Sequence, residues 1–130
     1  MSDRRPRFIV VDDDPVNNNI CRKVITKIFP NADVMTFTEP ETGLAYIIST
    51  FSKPNVGRAI LFLDINMPTM TGWEFIERFE KFGTTIKEQL YIYVLSSSVN
   101  SVDKEKAKHN RNIVDYIEKP LSLSIVESLT

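Results

Sequence analysis

The sequence predicts an α/β fold in which a parallel sheet is covered by helices on both faces. Apolar runs of strand length alternate along the chain with segments of helical period, the pattern of repeated βα units. Charged residues also stand where those runs end. Asp12-Asp13-Asp14 follow Phe8 to Val11, Asp64 follows Ala59 to Leu63, and Lys119-Pro120 follow Ile113 to Ile117. In an open α/β sheet a ligand sits outside the carboxyl ends of the strands, so residues ending several strands converge on one crevice.

Each element follows from local pattern. Arg7 to Asp12 reads as the first strand, and Pro15 opens a helix in which Val16, Ile20, Val24 and Ile28 fall at spacing four with Cys21 and Ile25 beside them. Phe29-Pro30-Asn31 stops that helix. Val34 to Phe37 is a short second strand, and Thr38 is expected to cap a second helix whose buried stripe is Leu44, Ile47, Ile48 and Phe51. Ser52 to Arg58, with Pro54 and Gly57, is a loop. Ala59 to Asp64 is the central strand, almost wholly apolar because both its faces are buried. A turn from Asn66 to Gly72 leads to a helix that presents Phe75, Ile76, Phe79 and Phe82. Leu90 to Leu95 and Ile113 to Ile117 are strands four and five, separated by a weakly amphipathic helix from Val102 to Asn110. A last short helix carries Leu123, Val126 and Leu129.

Bulk properties exclude several functions. The chain of 130 residues is the size of one domain, able to bury roughly two thirds of its unfolded surface. Sixteen Lys and Arg against 17 Asp and Glu give a net charge of −1, so no long-range attraction to nucleic acid or to an anionic membrane is expected. The apolar runs fall far short of the ~20 residues that span a bilayer, and the amino-terminal Met-Ser-Asp-Arg-Arg-Pro is no secretion signal. A lone Cys21 cannot form an internal disulfide. A cytoplasmic setting is expected.

The strand-end residues define a chemistry. Asp12, Asp13 and Asp64 on neighbouring strand ends suit Mg²⁺, a hard cation that prefers oxygen ligands, with Mn²⁺ as a substitute. Without a cation two such carboxylates at 4 Å repel by about 4 kcal/mol at an effective dielectric near 20, so a cluster of this kind binds metal or takes up protons. A carboxylate beside the metal can attack phosphorus. Ser96 and Lys119 would add a hydroxyl and an ammonium.

With those residues in place, the chain resembles the receiver domain of two-component response regulators, of the single-domain chemotaxis-regulator type. The resemblance rests on four segments: Val10-Val-Asp-Asp-Asp-Pro15, Leu63-Asp-Ile-Asn-Met-Pro-Thr-Met-Thr-Gly72, Val94-Leu-Ser-Ser-Ser98 and Tyr116-Ile-Glu-Lys-Pro120. It implies a flavodoxin-like, doubly wound five-stranded sheet of order 2-1-3-4-5 and one receiver domain over residues 1–130. The last helix is short enough to suggest truncation, and no output domain is seen. By resemblance Asp64 is the phospho-acceptor of a phosphorelay. It would take its phosphoryl group from a sensor histidine kinase or a histidine phosphotransfer protein. Asp13 would ligate Mg²⁺ directly, Asp12 through water, and the Asn66 backbone carbonyl would add a ligand. Ser96 and Lys119 would hold the phosphoryl group, and Tyr116 would be the switch aromatic. Its inward turn reshapes the face formed by the helix before strand five, strand five itself and the last helix. That face would engage a downstream protein target, with a phosphorylation-dependent homodimer as a further outcome, and neither nucleic acid nor membrane directly. The Lys119-Pro120 bond is expected to be cis.

Departures from the family pattern are few. Ser96 stands where Thr is commoner and Thr71 where an acidic or amide residue is usual. Asn110 lies near the usual glycine and is expected to provide a left-handed cap. Asn66 and Ser98 occupy positions that tune phosphoryl lifetime. Taken singly, Asp14 reads as an N-cap, Cys21 as a small apolar residue, His109 as solvated, Trp73 as helix packing and the charges from Lys104 to Lys108 as a solvated face. Two other functions compete. A haloacid-dehalogenase-like phosphatase would use Asp12 as nucleophile and Asp14 as acid/base, but it leaves Asp64 unexplained. A degenerate receiver serving only as a binding module would lack one of Asp12, Asp13, Asp64, Ser96 and Lys119, all of which are present.

Overall fold

Five apolar runs become five parallel strands. The computed structural model describes residues 5–97 and 100–129. Along the chain run β1 (Arg7–Val11), α1 (Pro15–Ile28), β2 (Asp33–Phe37), α2 (Pro40–Phe51), β3 (Ala59–Leu63) and α3 (Gly72–Glu80). They are followed by α4 (Thr84–Lys87), β4 (Leu90–Ser96), α5 (Ser101–Lys108), β5 (Ile113–Glu118) and α6 (Leu123–Ser128). The strands form one sheet of order β2-β1-β3-β4-β5 with every neighbouring pair parallel, the order the resemblance implies.

Side chains of the sheet alternate between two apolar layers. Ile9, Val11, Leu61, Leu63, Ile92 and Val94 join a core closed by α2, α3, α4 and α5. Phe8, Val10, Phe62 and Leu95 join a second core closed by α1 and α6. Leu61, Phe62 and Leu63 of β3 are fully buried, which explains why that strand reads as a continuous apolar run.

Helix starts are set by side-chain caps. Asp14 accepts from the Val16 amide and Pro15 occupies the first turn of α1. Thr71 and Glu74 form a reciprocal capping box at α3, satisfying two otherwise orphan donors. Asn100 and Ser122 cap α5 and α6. At α2, by contrast, the expected Thr38 cap is replaced. Glu39 is the N-cap and makes no side-chain capping bond; Pro40, pre-set in φ and lacking an N–H, begins the helix.

Helix α1 corrects the sequence reading most clearly. Its buried residues are Asn17, Asn18, Cys21 and Ile25, whereas Val16 is 64% and Ile20 38% exposed. The cause is a pair of amide hydrogen bonds: Asn17 Nδ2 donates to Asp12 Oδ2 at 2.8 Å, and Asn18 Nδ2 to the Asp12 carbonyl at 3.0 Å. Satisfying a buried carboxylate and a strand-end carbonyl fixes the rotation of the helix against its apolar period. Ile48 likewise points outward, at 44% exposure, leaving Leu44, Ile47 and Phe51 as the inner face of α2. Asn110 does not supply a left-handed cap. Among described non-glycine residues only Asn55 has positive φ, and Asn110 instead accepts from the Asn112 amide at 2.9 Å in an Asx turn. Helix α4, absent from the sequence reading, buries Ile86. It is tied down by Gln89, whose Nε2 donates to the carbonyls of Phe51, Lys53 and Thr85 while Oε1 accepts from the amides of Val56 and Gly57.

One irregularity positions the functional edge. Ile92 pairs with Ile113, but Tyr93 pairs with Asp115, so Val114 is an extra residue in β5. This bulge inverts the alternation. Ile113 packs into the α2–α5 layer and Ile117, four residues on, into the α1–α6 layer. It also brings Glu118 opposite Ser96, so that Lys119 emerges beside the end of β4, its amide donating to the Ser96 carbonyl at 2.9 Å. Deleting Val114 would leave Ile113 opposite Ile92 and Ile117 opposite Leu95 in an unbroken ladder, so both isoleucines keep their cores. We expect the deletion to cost less by denaturant unfolding than Ile117→Ala, which should lose at least about 2–3 kcal/mol. Val114→Ala, a change at a 52% exposed site, should stay within about 0.5 kcal/mol.

Candidate functional site

Parallel register brings the acidic residues together. Val11 of β1 pairs with Leu63 of β3, so the residues that follow, Asp12 and Asp64, leave adjacent strands side by side. The ladder continues through them: the Asp64 amide donates to the Val11 carbonyl at 3.0 Å, and the Asp12 amide to Phe37 at 3.0 Å. The regular strands themselves close at Val11 and Leu63, one residue before the expected aspartates. Asp12 is 1% exposed and Asp64 6%. Asp13 is exposed. One carboxylate oxygen from each of the three lies within 4.8 Å of the others.

Asp12 is held from several sides. Its Oδ1 accepts from the Asp14 amide at 2.9 Å, and its Oδ2 accepts from Asn17 Nδ2 at 2.8 Å and pairs with Lys119 Nζ at 2.7 Å. The same ammonium lies 3.6 Å from Asp64 Oδ2, and Asp64 Oδ1 accepts weakly from the Asn66 amide at 3.4 Å. Lys119 precedes Pro120 through a cis peptide bond, as the resemblance implies.

The electrostatics follow from this packing. Burial, followed by the neighbouring Asp12 charge, pushes the Asp64 carboxyl up to about 6, against the opposing pull of Lys119 and the amides of Asn66 and Ile65. Burial alone would lower Lys119, but its hydrogen bond to Asp12 and the charges of Asp64 and Asp12 hold it above the ordinary lysine value. It stays cationic. Burial, with Asp12 adding to it, raises the Cys21 thiol to about 12, leaving a neutral, unreactive side chain beside Asn17.

Ser96 ends β4 fully buried. Tyr116 is half-buried against the α2–α5 layer, with Lys104 Nζ 6.0 Å from its ring centroid. Gly72 opens α3 directly against the acidic turn: a Cβ there would stand 2.5 Å from the Asp64 carbonyl oxygen, and the Gly72 amide donates to Ile65 at 2.8 Å. Only glycine allows that approach. Thus Asp12, Asp13, Asp64 and Lys119 meet in one crevice, Ser96 and Asn66 border it through their backbones, and Tyr116 lies two residues before Glu118 on the bordering strand. Ser98 lies outside the described residues.

Asn17 and Asn18 were not singled out from the sequence. The available signal was a run of three asparagines, Asn17 to Asn19, opening a helix just after the acidic cluster, where apolar residues would ordinarily pack. Trp73 also does more than pack, donating from Nε1 to Asp103 Oδ1 at 3.2 Å beneath Lys106, whose Nζ is 5.1 Å from the ring centroid. Asp14 caps α1 and is exposed, a placement unlike the acid/base that the phosphatase reading requires. His109 is solvated, 3.2 Å from Glu105.

A hard divalent cation fits this donor set. All three clustered side chains offer oxygen, and the ammonium held between Asp12 and Asp64 marks where positive charge is favoured. Because both Asp12 oxygens already accept from N–H groups, Asp13 and Asp64 have the less committed oxygens.

Comparison with known proteins agrees with the geometry. The family profile described as "Response regulator receiver domain" matches residues 8–129. The stress response regulator protein 1 of Meyerozyma guilliermondii is 35% identical over 72 residues, covering 55% of this chain and 31% of that protein. Its namesake in Debaryomyces hansenii is 25% identical over 126 residues, covering 95% of this chain and 47% of that protein. This chain thus spans less than half the length of either relative. Among solved structures, a two component response regulator from Cytophaga hutchinsonii superposes with a TM-score of 0.86 at 23% identity, covering 98% of this chain and 95% of that one. A response regulator receiver protein from Dyadobacter fermentans gives 0.84 at 24%, covering 95% and 93%; both likenesses are of fold. With nearly the whole chain matched and the sheet order in agreement, the chain belongs to the response regulator receiver domain family of two-component signalling.

Proposed function

We propose that this domain is a phospho-acceptor switch in which Asp64 takes a phosphoryl group from a phosphohistidine, carried by a sensor histidine kinase or a histidine phosphotransfer protein. The observation that carries the reading is the meeting of a buried Asp64 with Lys119 at 3.6 Å and with the Asp12 and Asp13 carboxylates within 4.8 Å. An Asp64 carboxylate oxygen attacks phosphorus, the P–N bond breaks, and its electron pair leaves with the imidazole. Little covalent work falls to the protein in such a transfer, so positioning and charge neutralisation dominate.

Asp13 and Asp64 would hold Mg²⁺ or Mn²⁺ directly, Asp12 through water, with the Asn66 backbone carbonyl as a further ligand. Bound there, the cation neutralises charge on the transferring phosphoryl oxygens. Lys119 would pair with the same oxygens and Ser96 would hydrogen-bond to them, drawn by the roughly −1.5 to −2 charge that phosphorylation adds. Tyr116, on the strand between those two elements and α5, would then turn inward and reshape the α5–β5–α6 face for a downstream protein target or a second receiver. Catalysis is confined to the domain's own phosphorylation and dephosphorylation, in a cytoplasmic setting, with neither nucleic acid nor membrane as a direct partner.

Two measurements test this. Asp64 is raised from 3.8 to about 6, so over that interval the folded state binds more protons than the unfolded one and stability falls as pH rises. Without divalent cations, Asp64→Asn should match the parent near pH 4 and exceed it at pH 7.5 by on the order of 1–3 kcal/mol. Millimolar Mg²⁺ should stabilise the parent more than the variant. A pH-independent difference in denaturant unfolding would contradict the burial argument.

The second is intact mass after incubation with acetyl phosphate and Mg²⁺, repeated with beryllofluoride binding for a short-lived adduct. The expected gain is about 80 Da, lost in Asp64→Asn and on removing Mg²⁺. If neither phosphorylation nor beryllofluoride binding occurs, the domain is a degenerate binding module. If phosphorylation survives Asp64→Asn and is lost in Asp12→Asn, the phosphatase chemistry is revived.

A further inference from the structure

Away from the acidic crevice, α3 and α5 leave a groove of about 690 Å³ between them. Its apolar lining comes from Trp73 and the almost fully buried Ile76 on α3 and from Val102 on α5, the last 63% exposed. Glu77, Glu80 and Glu105 form its rim.

Lys106 and His109 also line the groove, fewer than its three glutamates. Lys106 lies over the Trp73 ring, Lys87 reaches Glu80 only at 3.9 Å, and His109 beside Glu105 is charged only when protonated. Trp73 itself is fixed across the groove floor by its bond to Asp103, which adds a further carboxylate. We propose that this groove docks an amphipathic helix of a partner protein, with an apolar stripe against Trp73, Ile76 and Val102 and lysine or arginine along its flank. Charge complementarity selects that occupant. An apolar stripe alone would fit any helix, whereas three rim glutamates favour a basic one and reject an acidic one.

One wall of the groove is tied to the crevice. Helix α3 starts at Gly72, pressed on the Asp64 backbone. If Asp64 is phosphorylated as proposed above, docking is coupled to the state of Asp64, and a reversible phosphoryl mimic such as beryllofluoride and the docked helix change each other's affinity by the same factor. This coupling rests on the phospho-acceptor reading; the docking itself does not.

The test is a displayed library of leucine-striped helical peptides with randomised flanks, selected on the whole chain. Binders should be enriched in lysine and arginine flanks, change the fluorescence of Trp73, the single tryptophan of the chain, and weaken at least about tenfold with Val102→Asp or Glu77→Lys. Both substitutions lie at exposed positions, and circular dichroism would verify their folding. Binders without basic enrichment, binders indifferent to both substitutions, or no binders at all overturn the proposal, as does a concentration-dependent self-association that Val102→Asp abolishes, which would make a second copy the occupant. Repeating the titration with beryllofluoride separates the two claims. Binding unchanged by beryllofluoride, in a protein that acetyl phosphate labels at Asp64, retains the docking site and removes the coupling, while failure of labelling leaves the docking result standing.

Discussion

Burying Asp12 and Asp64 side by side is the constraint that organises the molecule. Two carboxylates removed from water and set against each other raise the energy of the folded state unless donors or cations converge on them. The chain supplies those donors from four places: the Asp14 amide, Asn17 of α1, the Asn66 amide and Lys119 after β5. No short stretch of sequence could do this. The convergence needs β1, β3, β4 and β5 to end at one edge, and a parallel sheet of this order is the arrangement that aligns their carboxyl ends.

The same constraint accounts for the two places where regular geometry yields. Rotation of α1 exposes Val16 and Ile20 because it brings Asn17 onto a buried charge, which would otherwise bear the desolvation penalty of an unsatisfied carboxylate. The bulge at Val114 breaks the β5 ladder at an edge strand, where bulges are commonest. In return Ile117 and Tyr116 face their proper layers and Lys119 reaches the depth of the aspartates. Both irregularities lie within reach of the site, as expected where function competes with local preference.

How much of this was legible depended on whether the signal was local. Strand positions and the charged residues that end them were readable, since β3 is apolar on both faces and Asp64 interrupts it abruptly. So were the Asp14 cap and the Phe75, Ile76 and Phe79 stripe. The α1 face was misread because periodicity weighs Val16 and Ile20 as core and cannot see that Asn17 has a buried partner, Asp12. The Thr38 cap was misread because a favoured cap residue lay close to a proline that starts the helix by itself. The Val114 bulge was invisible, since a one-residue register shift leaves no mark in a strand of β-branched residues. Gln89 gave no signal either: its five side-chain hydrogen bonds go to segments 32 to 38 residues earlier and to the neighbouring α4, so its role exists only in three dimensions.

Lys119 is where the resting fold and the proposed switch meet. It lies closer to Asp12, at 2.7 Å, than to Asp64, at 3.6 Å, so its ammonium is first a structural counter-charge for the deeper carboxylate. To follow phosphoryl oxygens on Asp64, Lys119 must loosen that contact, and an abandoned Asp12 charge would be costly at 1% exposure. Other positive charge has to be present at Asp12 before the lysine can leave. On the proposed reading, divalent cation and lysine are therefore successive holders of the same negative charge, and the requirement for the cation extends beyond the transfer itself to the rearrangement that follows. On the same reading, the Asn17 and Asp14 amide bonds to Asp12 would keep the carboxylate in place while its counter-charge changes.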